Sequence, residues 1–325
     1  MDRAAVAPLP SNEVLLAART AALAYYSPYH FLRGVNSARQ QELFGVGAAR
    51  RHGAEAGEEL LTATTGPVQW LLRHLAWDSD YFGTPTYRLL TGLFTEQASA
   101  AELQVAAADL RTQLAGRGAF YAFSVVPTED TRLLQALTGA GWSLIETRLT
   151  YYHDSVATFD WPRYPVRLAR PEEAEAIGQI AAAARNPYDR FHADPWFGSA
   201  RADAFLARYA AATVAGDCGA TAVLVPDTET LPVDSFLSLS DLSVDAAALG
   251  VPMGRAMLAA VGPQNRGWYL KLMAESLHRA RERGQRYVLA TTQATNQVVF
   301  RTWSKLGFQL GATVHVLACH LPLPT

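Results

Sequence analysis

Two stretches of this chain superimpose without a gap: residues Leu103 to His153 and residues Tyr269 to Cys319 carry the same punctuation in the same order. In the first, Arg117-Gly118 closes a helical pattern, Phe120 to Val126 reads as a strand, and Asp130 caps a helix bearing Leu133, Leu134 and Leu137. Gly141-Trp142 then turns into a strand from Leu144 to Tyr152. In the second, Arg283-Gly284 closes a helix, Tyr287 to Thr292 is a strand, and Asn296 caps a helix bearing Val299, Phe300 and Trp303. Gly307-Phe308 leads into the last strand, Leu310 to Cys319. Asp and Asn accept hydrogen bonds from first-turn N–H groups, and Gly tolerates the left-handed backbone past a helix end, so each boundary has a physical cause. Two unrelated amphipathic units would share periodicity alone, whereas here caps, glycines and aromatic positions agree together. The expected architecture is two related α/β units in tandem.

The copies differ ahead of their first helices. The second is preceded by Gln264-Asn265-Arg266-Gly267-Trp268-Tyr269, while Ala98 stands opposite Gln264 and Ala101 opposite Gly267. A glycine turn feeding a helix N-terminus presents unpaired N–H groups and a positive dipole end, which suits a phosphate. One phosphate-binding site is expected, in the C-terminal half.

With 325 residues, 50% hydrophobic and 18% charged, the chain has the composition of a packed globular protein large enough for two domains. A net charge of -2 gives no global basic field, so nucleic acid is not the expected partner. The two cysteines, Cys218 and Cys319, are far apart and read as buried thiols of a reducing cytoplasm rather than a disulfide or thiolate metal site. The apolar run from Val14 to Tyr26 is short and contains Arg19, so neither an export signal nor a membrane span is read. No spacing suits a metal, and no Walker or nucleophile-elbow sequence is present. A change of composition from Asp154 to Pro165 reads as a linker, after which Val166-Arg167-Leu168 starts a strand and Pro171 opens a helix toward Arg185.

The strand from Met257 to Val261, Pro263, the glutamine–glycine turn, the helix to Gly284, the strand to Thr292, Asn296 and Lys305-Leu306-Gly307-Phe308 together resemble the GNAT superfamily of N-acetyltransferases. In that family the turn reads Arg/Gln-x-x-Gly-x-Gly/Ala and the closing helix reads Asn-x-x-Ala-x-x-x-Tyr-x-Lys-x-Gly-Phe. Placing Gln264 first puts Gly267 on the first glycine and Tyr269 on the second, and keeps the distance to Gly284. Trp77-Asp78-Ser79-Asp80-Tyr81-Phe82-Gly83 and Asp189-Arg190-Phe191-His192-Ala193-Asp194-Pro195 are similar to two signatures of dTDP-fucosamine acetyltransferase-like proteins. Those enzymes have an incomplete GNAT-like half before a complete one and acetylate a nucleotide-linked amino sugar. The resemblance runs from about Gln69 to the C-terminus.

It implies an α/β (α+β) fold of tandem GNAT-like units, each a mixed, mostly antiparallel sheet flanked by helices, with the N-terminal unit incomplete. The segments expected are a helical extension over 1–66, a degenerate GNAT-like domain over 67–155 and an acyl-CoA-binding domain over 165–325. The activity implied is transfer of an acyl group from acetyl-CoA, or another acyl-CoA, to a small-molecule amine by direct attack through a tetrahedral intermediate. The alternative is a catalytically degenerate module that binds a ligand or partner; a peptide amine as acceptor would require an open groove. A homodimer is allowed.

The resemblance also implies roles for residues. Backbone groups of Leu258, Ala259, Ala260 and Val261 would pair with pantetheine, and one N–H there would face the thioester oxygen. Gln264, Arg266, Gly267, Trp268, Tyr269 and Leu270 would hold the pyrophosphate, with Asn296 and Trp303 beside the cofactor. Tyr269 lies off the centre of the apolar stripe Leu270, Met273, Leu277 and Ala280, so its ring is expected to point outward. Trp303 replaces the tyrosine that protonates the leaving thiolate; an indole N–H is no useful acid, and Tyr269 is the candidate substitute. His192 and Asp194 fall in the loop bordering the acceptor pocket, His192 as base. Arg190 would pair with a substrate phosphate or carboxylate. Trp77 and Phe82 read as a strand-turn anchor, with Asp78 reaching an acceptor hydroxyl.

Overall fold

Polar caps and left-handed glycines bound the elements of both repeats. Ser99 accepts the Glu102 N–H while the Glu102 carboxylate takes the Ser99 N–H at 2.7 Å, a reciprocal cap worth about 1 kcal/mol. Asp130 accepts from the Leu133 N–H at its helix start. Gly141 and Gly307, at φ 86° and 89°, turn the chain out of corresponding helices. The computed structural model describes residues 10–228 and 233–321. The chain divides into two compact units, Met1–Thr147 with Thr313–Thr325, and Arg148–Ala312.

The first unit contains α1 (Asn12–Leu23), α2 (Ser37–Leu43), α3 (Val46–Arg51), β1 (Glu58–Thr62), β2 (Gln69–His74), α4 (Ala76–Phe82), β3 (Thr86–Leu93), α5 (Ala100–Ala115), β4 (Phe120–Pro127), α6 (Thr131–Gly139) and the start of β5 (Ser143–His153). The second contains the rest of β5, then β6 (Val166–Leu168), α7 (Ala174–Ala183), α8 (Arg190–Ala193), α9 (Ser199–Val214), β7 (Ala222–Pro226), β8 (Ser235–Ser240), α10 (Ser243–Leu249), β9 (Met253–Val261), α11 (Trp268–Glu282), β10 (Tyr287–Gln293) and α12 (Gln297–Lys305). The chain returns to the first unit along β11 (Gln309–Leu321). The expected strand–helix–strand–helix–strand order thus occurs twice, as β3-α5-β4-α6-β5 and β9-α11-β10-α12-β11.

Within the first unit the strand order is β1-β2-β3-β4-β11, antiparallel except for β3 beside β4. Within the second it is β5-β10-β9-β8-β7-β6, antiparallel except for β10 beside β9. The mixed, mostly antiparallel sheet flanked by helices is therefore present in both. Helix α5 buries Leu103, Leu110 and Leu114 against Trp70, Leu72 and Phe120, each leucine stabilising by about 1.5–3 kcal/mol relative to exposure. Helix α11 buries Leu272, Met273 and Leu277 against Leu237, Val288 and Ala290.

The parallel pairs are short. Thr86 to Leu89 runs beside Tyr121 to Ser124, and Met253 to Ala256 beside Tyr287 to Ala290, after which pairing stops although β3 and β9 continue. In the first unit the gap is filled from α1. The Arg19 guanidinium donates to the Gly92 carbonyl at 3.1 Å and to Asp130 Oδ1 at 3.0 Å, and stacks 4.2 Å from the Phe94 ring centre. Tyr26 Oη donates to Asp130 Oδ2 at 2.8 Å.

Several expectations change. Residues 1–66 include strand β1, and Leu15, Leu16 and Leu23 of α1 pack with Leu71 and Leu93, so the segment is more than a helical extension. The Trp77–Gly83 motif is helix α4 rather than a strand-turn: only Phe82 is buried, and Trp77 is 42% exposed. Segment 154–165 is no free linker, because Val156 and Phe159 are buried in the core beneath α11 and Arg163 pairs with Glu275 at 3.0 Å. Cys319 is buried as expected, but Cys218 is exposed, in a turn at φ 57°. No helix among the described residues is long and apolar enough to cross a membrane.

Candidate functional site

In the second unit the gap beyond Ala256 and Ala290 opens into a cavity of about 370 Å³. It is lined by Met257 to Val261 of β9, by Thr291, Thr292 and Gln293 of β10, by Asn296, Val299 and Trp303 and by Tyr269. A second cavity, about 580 Å³, lies at the turn and is lined by Val261, Gly262, Pro263, Arg266, Gly267, Tyr269 and Leu270. Ala184, Val261, Tyr269 and Val298 belong to both walls.

A bulge shapes β9. Leu237 pairs with Ala259 but Leu239 with Ala256, so Met257 and Leu258 together face Ser238. Ser238 Oγ accepts the Leu258 N–H and donates to the Leu258 carbonyl, both at 3.1 Å. The Leu258 N–H and one lone pair of its carbonyl are thereby engaged, so that N–H is not offered to pantetheine. Leu258, Ala259, Ala260 and Val261 all line the cavity, and Met257, not anticipated, joins them.

Gly267 is the N-cap of α11 at φ 86°, and a β-carbon there would meet nothing within 4 Å. The turn is therefore left-handed and open, as a phosphate cradle requires, and the N–H groups of the first helical turn, on Trp268, Tyr269 and Leu270, have no intrahelical acceptor. Arg266 lines the cavity. Gln264 does not join the cradle: its N–H donates to Asp234 Oδ2 at 2.8 Å. Asp234 itself lines this cavity, admitted by Gly262, whose β-carbon would fall 1.8 Å from its carboxylate oxygen. The Trp268 side chain is buried, with Lys271 Nζ 4.5 Å from its ring centre.

Tyr269 points inward, contrary to the outward ring expected. Its ring joins the apolar cluster containing Leu272 and Trp303. Trp303 Nε1 donates to Tyr269 Oη at 2.8 Å. Burial pushes the Tyr269 phenol well above its ordinary value of 10.0, and the Trp303 hydrogen bond pulls slightly the other way. The corresponding residues of the first copy, Leu103 and Leu137, are both buried and apolar. Asn296 occupies the N-cap of α12 without capping it; its Nδ2 donates to Thr292 Oγ1 at 3.1 Å instead, and it lines the cavity.

The acceptor-side residues are placed differently from the expectation. His192 meets Asp189 Oδ2 with Nδ1 at 2.8 Å and Asp203 Oδ1 with Nε2 at 3.0 Å. With both nitrogens engaged, it has none left for a substrate proton, so the structure does not support His192 as base. Arg190 is buried over the Phe191 ring, 4.3 Å from its centre, rather than offered to an anionic substrate. Asp194 is buried and accepts the Trp196 N–H at 3.0 Å, fixing a turn. Asp78 lies in α4 of the first unit. The side chains sequence reasoning missed are Asp189, Arg185, Asn186 and Gln293 on the cavity and Asp234 and Ser238 beside it. Asp189 opens the motif quoted for His192 but carries no role of its own there, although an Asp ahead of a short helix is a cap signal; Asp234 and Ser238 carry no local signal. Among the described residues no cluster of three or more His, Cys, Asp or Glu side chains is placed to hold a metal.

No protein-family profile matches the chain, and no curated protein matches it. Solved structures do. A GCN5-related N-acetyltransferase from Sphaerobacter thermophilus aligns with 98% of this chain and 96% of its own at TM-score 0.55 and 13% identity. A GCN5-related glucosamine N-acetyltransferase region of a fungal multi-domain GH3 β-N-acetylglucosaminidase aligns with 97% of this chain and 38% of its own at TM-score 0.55 and 15% identity. A functionally unknown conserved protein from Staphylococcus epidermidis aligns over 81% and 94% of the two chains at TM-score 0.51 and 10% identity. The repeated order, the bulged strand parting from its parallel neighbour and the open turn at α11 belong to the same picture: this chain has the fold of the GCN5-related N-acetyltransferases.

Proposed function

We propose that this chain is a CoA-dependent N-acyltransferase, using acetyl-CoA and acting on a small-molecule amine of the amino-sugar class. The observation that carries the reading is the Trp303 Nε1 to Tyr269 Oη hydrogen bond of 2.8 Å in the wall of the cavity where β9 parts from β10. An indole N–H only donates, so the phenol oxygen accepts and keeps its own proton for another acceptor. Bound acyl-CoA supplies the thioester. Ala259, Ala260 and Val261 would line its path, and Gly267, Tyr269 and Leu270 would hold the phosphates with Arg266. As the amine, its extra proton lost to water, forms the C–N bond and the C–S bond breaks, the Tyr269 hydroxyl would give its proton to the sulfur and regain one from the solvent that takes the nitrogen's proton. The indole of Trp303 thus orients an acid it cannot itself be. The amino-sugar class is supported by the two sequence signatures and by the glucosamine N-acetyltransferase region among the similar folds.

One observation favours the second reading, a binding module without catalysis. The Asp234 carboxylate lines the turn cavity and takes the Gln264 N–H, which opposes an anionic ligand there. A screen of acyl-CoAs against amines, read as thiol release, decides between them. The enzyme reading predicts CoA release that depends on an amine; no release for any amine, with no acetyl-CoA binding by calorimetry, would leave a binding module whose ligand is not an acyl-CoA.

A further inference from the structure

The acceptor side of the cavity contains a chain of charges that the acyl-transfer chemistry above does not use. Arg185 and Asp189 line the cavity, and they are its cationic and its anionic side chain among the described residues. Asp189 Oδ1 accepts the N–H groups of Phe191 at 2.9 Å and His192 at 3.1 Å, while Oδ2 meets His192 Nδ1 at 2.8 Å. Behind it, His192 Nε2 meets Asp203 Oδ1 at 3.0 Å, and Asp203 Oδ2 lies 3.3 Å from an Arg185 guanidinium nitrogen. The Asp189 side chain is 21% exposed, while that of His192 is 4% exposed.

A carboxylate offers about four lone-pair sites. Three are taken on Asp189 by groups that fix its orientation, and the remaining acceptor position belongs to a side chain on the cavity wall. Near it, Asn186 Nδ2 donates to Gln293 Oε1 at 2.7 Å, so the flanking groups are neutral amides. Arg185 is drawn toward Asp203 rather than toward Asp189.

We propose that Asp189 is the docking anion for the acceptor's ammonium group, and that His192 and Asp203 are positioning residues that hold its carboxylate toward the cavity. The acceptor class is an aliphatic primary amine, protonated at neutral pH. This deepens the N-acyltransferase reading and rests on it.

The test compares thiol release from acetyl-CoA with n-butylamine and with aniline, which is uncharged at neutral pH. In Asp189→Asn the KM for butylamine rises roughly 10- to 100-fold, the loss for one hydrogen bond to a charged group, while the KM for aniline stays within about twofold. His192→Asn retains a donor toward Asp189 and restores the butylamine KM that His192→Ala loses. An equal KM change for both amines, or none, overturns the proposal. Calorimetry with acetyl-CoA on the same proteins separates the two claims: an affinity unchanged in Asp189→Asn leaves the cofactor reading intact. If wild-type protein fails to bind acetyl-CoA, the acyltransferase reading falls, and thermal stabilisation by butylammonium against butanol still decides the role of Asp189. A shift present in wild type and absent in Asp189→Asn supports it, and no shift in wild type overturns it.

Discussion

Tyr269 is where sequence reasoning and the folded chain part most informatively. The helical stripe through Leu270, Met273 and Leu277 places its ring off centre, so the sequence leads one to expect a ring pointing outward at the position of the turn's second glycine. The ring instead turns inward and packs with Leu272 and Trp303, where its phenol oxygen accepts the Trp303 indole N–H at 2.8 Å. The first copy has no such pair: Leu103 and Leu137, both buried in its apolar core, occupy the corresponding positions. Tyr269→Phe should lower kcat about 10²–10⁴-fold, the contribution of a positioned acid, with acetyl-CoA affinity unchanged. Stopped-flow turnover beside calorimetry measures both, and unaltered kcat would remove Tyr269 as acid. The protonated phenol is the active form and burial raises its pKa, so the fall of kcat at high pH should begin above 10.0, the ordinary tyrosine value. A fall centred at or below that value would contradict the assignment.

At the level of elements, helix α1 shows what local patterns cannot convey. Arg19 counts in the sequence only as a charge that breaks an apolar run; its partner Asp130 lies 111 residues away. Folding brings them together in the gap beyond β3 and β4, where the second unit has a cavity instead. Removing one partner of a buried pair leaves an uncompensated charge, so Arg19→Met should destabilise the protein by about 3–5 kcal/mol. Urea unfolding measures this, and a loss well under 1 kcal/mol would show that the pair is not needed to fill the gap. The end of β5 supplies a pH effect. His153 is buried between the rings of Phe159 and Phe308, and burial lowers its pKa from 6.5. Below 6.5 the unfolded chain takes up a proton that the folded His153 does not, so stability is full above that pH and falls as pH drops through the folded value. His153→Gln should flatten this acid limb of the unfolding midpoint, and a limb unchanged in the variant would assign it to other groups.

Across the whole molecule, the twofold α/β plan was readable because its markers are local: an N-cap, a glycine past a helix end, an alternation of apolar residues. The fold class, the order of elements in both repeats and the open glycine turn all rest on such markers. The partition of the chain was not readable in the same way. Composition points to a linker over 154–165, but that stretch buries Val156 and Phe159, and the chain passes between the two units inside strands β5 and β11. The acceptor side was legible only as a motif. Asp189 to Pro195 was singled out, yet burial took Arg190 and Asp194 into the interior and left Asp189 on the cavity. The central claim is that the second unit binds acyl-CoA at the α11 turn, and calorimetric titration of acetyl-CoA into wild type and Gly267→Glu tests it most directly. A β-carbon at Gly267 meets open space, so with helix content verified by circular dichroism the glutamate acts chiefly on the ligand, through bulk and like charge. Wild type should bind and Gly267→Glu should not; no heat from wild type at millimolar acetyl-CoA, or equal affinity in the variant, would place the cofactor elsewhere or remove it.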